Sequence, residues 1–288
     1  MSSLTLSAPR VRTRLATDVA GWQRAARQGL IAVAAAYLAI VLFAPLAAMG
    51  VELVQMGIGK AMASLLEPEA LAALRMSLLL TVLSVAINTA VGVVLALAIV
   101  RQRFALRGVV NALADLPLAV SPVMVGLSFL LLFGSDGWFA KPLERLDFKV
   151  AFAFTGLLLG TLFVALPYTV REIVYVLEEL GTSEEEAAAT LGASPAQIFW
   201  LVTLPNIRFA LGYGVLMTMA RSMGEFGAVL VLGGSISGQT QTATTFIHDA
   251  IEERNTGSAY GMAVLLALFS IVLLLALEWA KRRRKVTR

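Results

Sequence analysis

The amino-acid sequence predicts an all-α integral membrane protein, a bundle of about six spanning helices, and three observations point there. Of its 288 residues 58% are apolar, its mean hydropathy is +0.81 and only 15% are charged, where about 25% is usual for a soluble domain. A water-soluble shell needs more polar cover than that. The apolar residues also gather into six runs, each near the ~20 residues that a membrane crossing requires. Finally, the runs are continuous, unlike the alternating segments of about ten residues that build a membrane barrel.

Taken in order, residues 1–28 form an arginine-rich N-terminal segment and 29–51 the first span. Its apolar stretch exceeds the roughly 7–15 residues of a signal-peptide core and follows a long basic segment, so it reads as a retained helix. After 52–75 comes the second span, 76–100, which with the last is the cleanest of the six. The third, 109–133, is interrupted by Asp115, Pro117 and Pro122 and reads as kinked or broken. Asp115 has a second reading, a place near the membrane boundary only about 14 residues beyond Arg101. A connection at 134–149 leads to the fourth span, 150–170, and a long segment, 171–208, to the fifth, 209–233, which carries Arg221 and Glu225. The sixth span, 259–280, runs into a basic tail, 281–288.

Composition removes several function classes. With no Cys and a single His, His248, there is no thiolate or histidine metal cluster, no cysteine nucleophile and no imidazole acid–base pair. The net charge of +4 suggests a basic surface for nucleic acid, but the basic residues flank apolar runs instead. Sixteen of them lie in the N-terminal segment, the 2–3 and 4–5 connections and the C-terminal tail, against six on the opposite side. By the positive-inside rule both termini are cytoplasmic. The tail reads as a topology anchor, with anionic lipid or a partner as its alternative.

The 171–208 segment is more than a linker. Thr182 or Ser183 followed three residues later by Glu185 or Glu186 makes a capping-box pattern, and the glutamates complement the positive end of a helix. The alanines after them favour helix, Gly192 stops it, and Ser194-Pro195 starts a second, apolar helix that Pro205 is expected to end. Two short helices at a glycine elbow form a projecting knob that a grooved partner can receive. A membrane-surface linker is the alternative, for which a glutamate run suits anionic lipid poorly.

Glu186-Ala187-Ala188, Gly192 three residues later, and Val202-Thr203-Leu204-Pro205 after nine more resemble the EAA motif of ABC-importer permeases, with Val202 in place of the usual Ile. Over about residues 75–280 the likeness narrows. Asp115-Leu116-Pro117 through Ser121-Pro122, Leu204-Pro205-Asn206-Ile207-Arg208, and the run from Ala220 to Val229 resemble the sulfate/thiosulfate permeases. The first two of these are similar to the W-type rather than the T-type subunit. Molybdate permeases share the R-x-x-GEFG part, which marks the oxyanion branch more than the ion.

The resemblance implies a six-transmembrane-helix type I ABC importer permease, the MetI-like fold, with a cytoplasmic coupling helix in a bacterial inner membrane. It implies that Glu186, Ala187, Ala188 and Gly192, with Leu204 and Pro205, make the coupling element seated on an ATPase. It further implies a related T-type permease as heterodimer partner, two ATPase subunits that hold ATP and Mg, and an external sulfate-binding protein. A homodimeric permease pair is the alternative. No GxxxxGK[ST] occurs in the chain, so a phosphate-cradling loop for ATP belongs elsewhere, and the chain is expected to be non-catalytic, with no cofactor or metal of its own.

Charges inside spans are costly, about 2.5–3.5 kcal/mol each on insertion scales, and mark function or pairing. Arg221 and Glu225 are four apart and share a helix face. They read as a structural or gating pair, as a direct contact for a desolvated dianion that Glu225 keeps from binding too firmly, or as a pair near the outer end. Ser121 is placed to meet passing oxyanion oxygens, or to bond its own helix backbone. Gly224, Gly227, Gly233 and Gly234 permit close packing or local unwinding. The polar stretch after them, including 239–245, reads as a re-entrant lining, a binding-protein surface or an ordinary loop, and His248 is assigned no role. A secondary transporter would need a titratable relay, for which only Asp115 and Glu225 are available. A membrane-embedded enzyme would need a nucleophile–base set, and none is recognisable.

Overall fold

A computed structural model describes the backbone of residues 11–286, in two compact units, Met1–Gln55 and Met56–Arg288. Of the orienting basic residues, Arg10 and Arg288 lie outside the described residues, as do the side chains at 12–24 and 281–285. The first unit is helix α1 (Val11–Met56), apolar over Ala26–Gln55. Its large side chains, Leu30 and Phe43 among them, are exposed, as suits a helix bathed in lipid.

The second unit contains helices only, among the described residues. Short α2 (Ile58–Leu65) precedes α3 (Pro68–Arg101), which starts eight residues before the predicted span because Pro68 opens its first turn. Next come α4 (Arg107–Ala119), α5 (Pro122–Phe133), α6 (Ala140–Arg145) and α7 (Phe154–Leu180). The fourth span therefore runs ten residues past its predicted end, absorbing Arg171. Beyond it lie α8 (Ser183–Thr190), α9 (Pro195–Ile198), a π turn (Phe199–Thr203) and α10 (Leu204–Met223), followed by α11 (Gly227–Gly233), α12 (Ala243–Glu252) and α13 (Thr256–Val286).

The centre is the packing of α3, α7 and α10. The buried face of α3 recurs every three or four residues and is built from small or polar side chains: Ala73, Ser77, Thr81, Ser84, Asn88, Gly92, Ala96. Lipid offers no hydrophobic gain for bringing helices together, so close approach and hydrogen bonds must hold them. A Cβ on Gly92 would stand 2.8 Å from Thr169 Cγ2, so only glycine lets α3 and α7 come this near. Asn88 Nδ2 donates to the Leu162 carbonyl (3.1 Å), Ser222 Oγ to Ser84 Oγ (3.1 Å), and the Thr169 and Thr218 hydroxyls pair at 2.8 Å. An apolar cluster of Ala96, Ile99, Val170, Ile173, Leu177 and Ile207 closes one end, and another of Ala70, Ala73, Ala243, Phe246 and Met262 the other.

Two spans are broken. The third bends by 111° between α4 and α5. Proline at position 122 disfavours helix at the residue before it, and Ser121 accordingly takes φ −61°, ψ 138°. The predicted fifth span is not one helix either: α10 ends at Met223 and the chain resumes as α11 at Gly227. The half-helices α5 and α11 pack together through their glycines. A Cβ on Gly126 would lie 2.9 Å from Val231 Cβ, and one on Gly227 3.0 Å from Val123 Cγ2.

Candidate functional site

The candidate coupling element forms at the end of the bundle where α3 and α7 finish. Gly181 (φ +66°) turns the chain out of α7, α8 carries the glutamates, and Gly192 (φ +86°) makes the elbow in a conformation that favours glycine. The elbow is where the sequence predicts it, but the capping box is not. The Thr182 side chain caps no backbone N–H; its hydroxyl donates to Glu186 Oε1 (2.6 Å) while its carbonyl accepts from Glu186 N (2.9 Å). The box belongs instead to Ser194 and Gln197, which exchange side-chain and backbone bonds at the start of α9. Pro205 corrects a second expectation. It does not end the second short helix: α9 passes through the π turn into α10 without leaving helical backbone, and Pro205, the second residue of α10, sits just beyond that turn.

On α8, Glu186 and Ala187 are exposed and Ala188 is half-buried, while Gly192 and Pro205 face outward with Leu204 half-buried beneath. Leu191 (89% exposed), Trp200 and Leu201 add bare apolar surface to the same knob. The two neighbouring glutamates bond back toward the π turn and α10, Glu184 on the exposed surface and Glu185 half-buried. Glu184 Oε2 accepts from Asn206 Nδ2 (2.5 Å), and Glu185 Oε1 accepts from the Thr203 hydroxyl (2.8 Å). Glu185 also faces Arg101 at the end of α3, whose Nε stands 2.8 Å from Glu185 Oε2. Arg101 Nη1 and Nη2 donate to the Leu177 and Gly181 carbonyls (3.1 and 2.7 Å), which the end of α7 leaves without helical partners. The element is thus exposed on one side and tied to three helices on the other.

The helix break forms the second candidate site. Glu225 is 3% exposed, with Oε1 accepting from Ala228 N at the start of α11 (2.9 Å) and Oε2 2.8 Å from Arg221 Nη2. Its backbone carbonyl accepts from the Thr244 hydroxyl (2.6 Å), which brings in α12. From Leu204 to Arg221 is about 25 Å along the helix, close to the ~30 Å of a hydrocarbon core. The pair therefore lies toward the end opposite the coupling element.

Asp115 is paired with Arg171, whose guanidinium binds both carboxylate oxygens and also donates to Asn111 Oδ1 (2.9 Å) and the Asn111 carbonyl (2.8 Å). This cluster pins α4 to α7. Ser121, at the break before α5, is exposed and its side chain caps no helix. The polar outer stretch is not an ordinary loop. Thr240, Gln241, Thr242 and Thr245 are buried, with Thr242 and Thr245 forming a capping box for α12. His248 contacts the Phe226 ring and lies 3.3 Å from Glu252. No group of three or more potential ligands for a metal occurs among the described residues.

Sequence reasoning missed Arg101 and Arg171, which read there only as charges that set topology. One signal was available: each sits within a turn of a predicted span end, where a helix leaves carbonyls or a neighbouring carboxylate in need of a donor.

The family described as binding-protein-dependent transport system inner membrane component matches residues 88–286. The chain is 46% identical over 242 residues to the chloroplastic sulfate permease 2 of Chlamydomonas reinhardtii, covering 84% of this chain and 66% of that longer protein. It is 42% identical over 254 residues to the sulfate transport system permease protein CysW of Synechocystis, covering 88% and 92%. To the corresponding CysT of Escherichia coli it is 33% identical over 247 residues, covering 86% and 89%. Among solved structures, a chain of a bacterial alginate ABC transporter superposes with a TM-score of 0.73 at 16% identity, over 96% of this chain and 98% of that one, a likeness of fold. The chain belongs to the family of binding-protein-dependent transport system inner membrane components, as a multi-pass permease subunit of the W type with the MetI-like fold.

Proposed function

We propose that this chain is the W-type permease of an ATP-driven importer of sulfate or thiosulfate. The observation that carries the reading is the 42% identity to a CysW protein over nearly the whole of both chains, against 33% to a CysT protein. The partners are a T-type permease, two ATPase subunits holding ATP and Mg, and an external binding protein. The chain itself catalyses no reaction. It lies in the inner membrane with both termini in the cytoplasm, on the side where sixteen basic residues gather. In support, the 2–3 and 4–5 connections, both assigned to that side, meet at one end of the bundle through Arg101 and Glu185.

Closure of the ATPase dimer pushes on Glu186, Ala187, Ala188 and Gly192, with Leu204 and Pro205 beneath them, and tilts the spans between inward-open and outward-open forms. The pathway runs between the two permeases, past the α5 and α11 breaks where Ser121, Arg221 and Glu225 lie; Asp115, bound to Arg171, stiffens α4 beside it. The anion is recognised mainly by the binding protein, and conduction needs only a weak site on the permease.

The test is reconstitution with the partner subunits and binding protein loaded with sulfate, thiosulfate, molybdate or phosphate. Sulfate or thiosulfate should stimulate ATP hydrolysis most. Preference for molybdate reassigns the anion to the other oxyanion branch and leaves the architecture intact. If the solubilised chain retains no coexpressed ATPase, the importer reading fails in favour of an ion-coupled carrier.

A further inference from the structure

We propose that Arg101 is a positioning residue for energy coupling, tying the ATPase-facing helix α8 to α3 and α7 so that a push on α8 moves the core of the bundle. This rests on the reading of 182–192 as the ATPase seat.

The covalent route from α8 into the bundle is compliant. Gly181 at φ +66° lets α8 pivot on the end of α7, and between α8 and α3 lies an open groove of about 680 Å³, with Leu97 and Ala98 on one wall and Glu186 and Ala189 on the other. Packing therefore joins α8 to the π turn and α9 and leaves α3 across a gap. Arg101 spans that gap. Its guanidinium holds Glu185 of α8 by an ion pair at 2.8 Å and a hydrogen bond from Nη2 to Oε1 (3.3 Å), and donates to the carbonyls of Leu177 (3.1 Å) and Gly181 (2.7 Å). The side chain is mostly buried, 14% exposed, so solvent screens these contacts weakly.

Three acceptors on two elements suit the planar fork of arginine, and lysine, a point charge, cannot hold them together. Glu185 is fixed from its other side by the Thr203 hydroxyl. One carboxylate thus gathers the ends of α3, α7 and α10 behind the glutamates that face outward. Loss of Arg101 leaves α8 connected to α10 through Thr203 and Asn206, free to rock at Gly181 without moving α3.

The test uses the complete reconstituted importer and reads three quantities: ATPase retained on purification, ATP hydrolysis with sulfate-loaded binding protein, and sulfate taken up per ATP hydrolysed. Arg101→Ala should keep the ATPase bound and hydrolysing while uptake per ATP falls about tenfold, the scale of one lost charge-assisted hydrogen bond. Arg101→Lys should recover little of it, and Glu185→Gln, which keeps the shape and removes the charge, should fall less than Arg101→Ala but in the same direction. A role confined to folding would lower all three readings together and leave the ratio of uptake to hydrolysis unchanged, and that result overturns the proposal. If Arg101→Ala does not fold, Glu185→Gln decides alone, an unchanged ratio again overturning it. Failure of the unmutated chain to hold any ATPase refutes the importer reading, and the proposal with it.

Discussion

Removing the carboxylate of Glu225 tests what the charged pair in the membrane is for. Its Oε2 stands 2.8 Å from Arg221 Nη2, a gross attraction of about 6 kcal/mol at an effective dielectric of about 20. Most of that offsets desolvation, since the Glu225 side chain is 2% exposed and that of Arg221 25%. Glu225→Ala also removes the acceptor that holds Ala228 N at the start of α11. The loss should be about 3–5 kcal/mol, the usual cost of breaking a buried pair from one side, or about 10 °C in the unfolding midpoint of the detergent-purified chain. Glu225→Gln keeps an oxygen for Ala228 and should lose about half as much. The double variant Arg221→Ala/Glu225→Ala should be more stable than the sum of the single losses by about 2–3 kcal/mol. Strict additivity refutes the pairing argument. Uptake then separates the two readings of the pair. A strut predicts that the double variant transports, in proportion to the stability it regains. An arginine that meets the anion predicts no uptake even where stability returns.

Gly192→Ala should strain the elbow by about 1–2 kcal/mol and weaken ATPase retention, because φ there is +86°. No atom lies within 4 Å of the added Cβ, so Gly192→Asn, which tolerates that conformation, should retain the ATPase, whereas Gly192→Trp should lose it with insertion intact; equal retention by the Ala and Asn variants would discard backbone strain as the cause. Gly126→Val should cost about 1–3 kcal/mol by overpacking α5 against α11, read as a lower unfolding midpoint, since even a Cβ there lies 2.9 Å from Val231 Cβ. Asp115→Asn should cost about 1 kcal/mol, since the Asp115 side chain is 46% exposed, read as an unfolding midpoint lower by about 2–4 °C, and leave the ratio of uptake to ATP hydrolysis unchanged, whereas a change in that ratio would move Asp115 from the α4 strut into the pathway.

Much of the fold is legible in the sequence because lipid imposes one rule, that backbone polar groups be satisfied within a helix. The runs at 76–100 and 259–280 fall inside α3 and α13 for that reason. The break at Ser121-Pro122 is legible too, since proline acts locally. The break at 224–226 is harder to see. Gly224 has an ordinary negative φ of −92°, and the break is held at Glu225, whose side chain meets Arg221 and Ala228 N close by in sequence while its carbonyl accepts from the Thr244 hydroxyl of a separate helix. The knob at 183–192 follows from propensity and a glycine stop, whereas which glutamate faces inward does not. Glu184, Glu185 and Glu186 are alike in type and adjacent in position, and only the arrival of Arg101 and Thr203 from distant parts of the chain distinguishes Glu185. The same holds for Pro205, which lies just beyond a π turn in a continuing helix instead of at a helix end.

The distribution of breaks divides the second unit mechanically. α3, α7 and α10 each run as one long helix from the end that bears α8, α7 passing through Pro167, and buried hydroxyls, an amide and glycines lock them to one another. The half-helices α5 and α11 pack on each other and on the α7 side of this block, joined to α4 and α10 through two and three non-helical residues respectively. In the proposed importer, force entering at α8 and passing through Arg101 and Glu185 would be carried by these long helices, α7 with one rung missing at Pro167, because a helix resists bending more than the non-helical joints at 120–121 and 224–226. Relative motion would then concentrate at Ser121 and at 224–226, about the length of a helix away from α8. Those two interruptions also carry the exposed serine and the charged pair. A stiff lever ending at a compliant joint confines the conformational change to the place where an anion would have to be admitted or released.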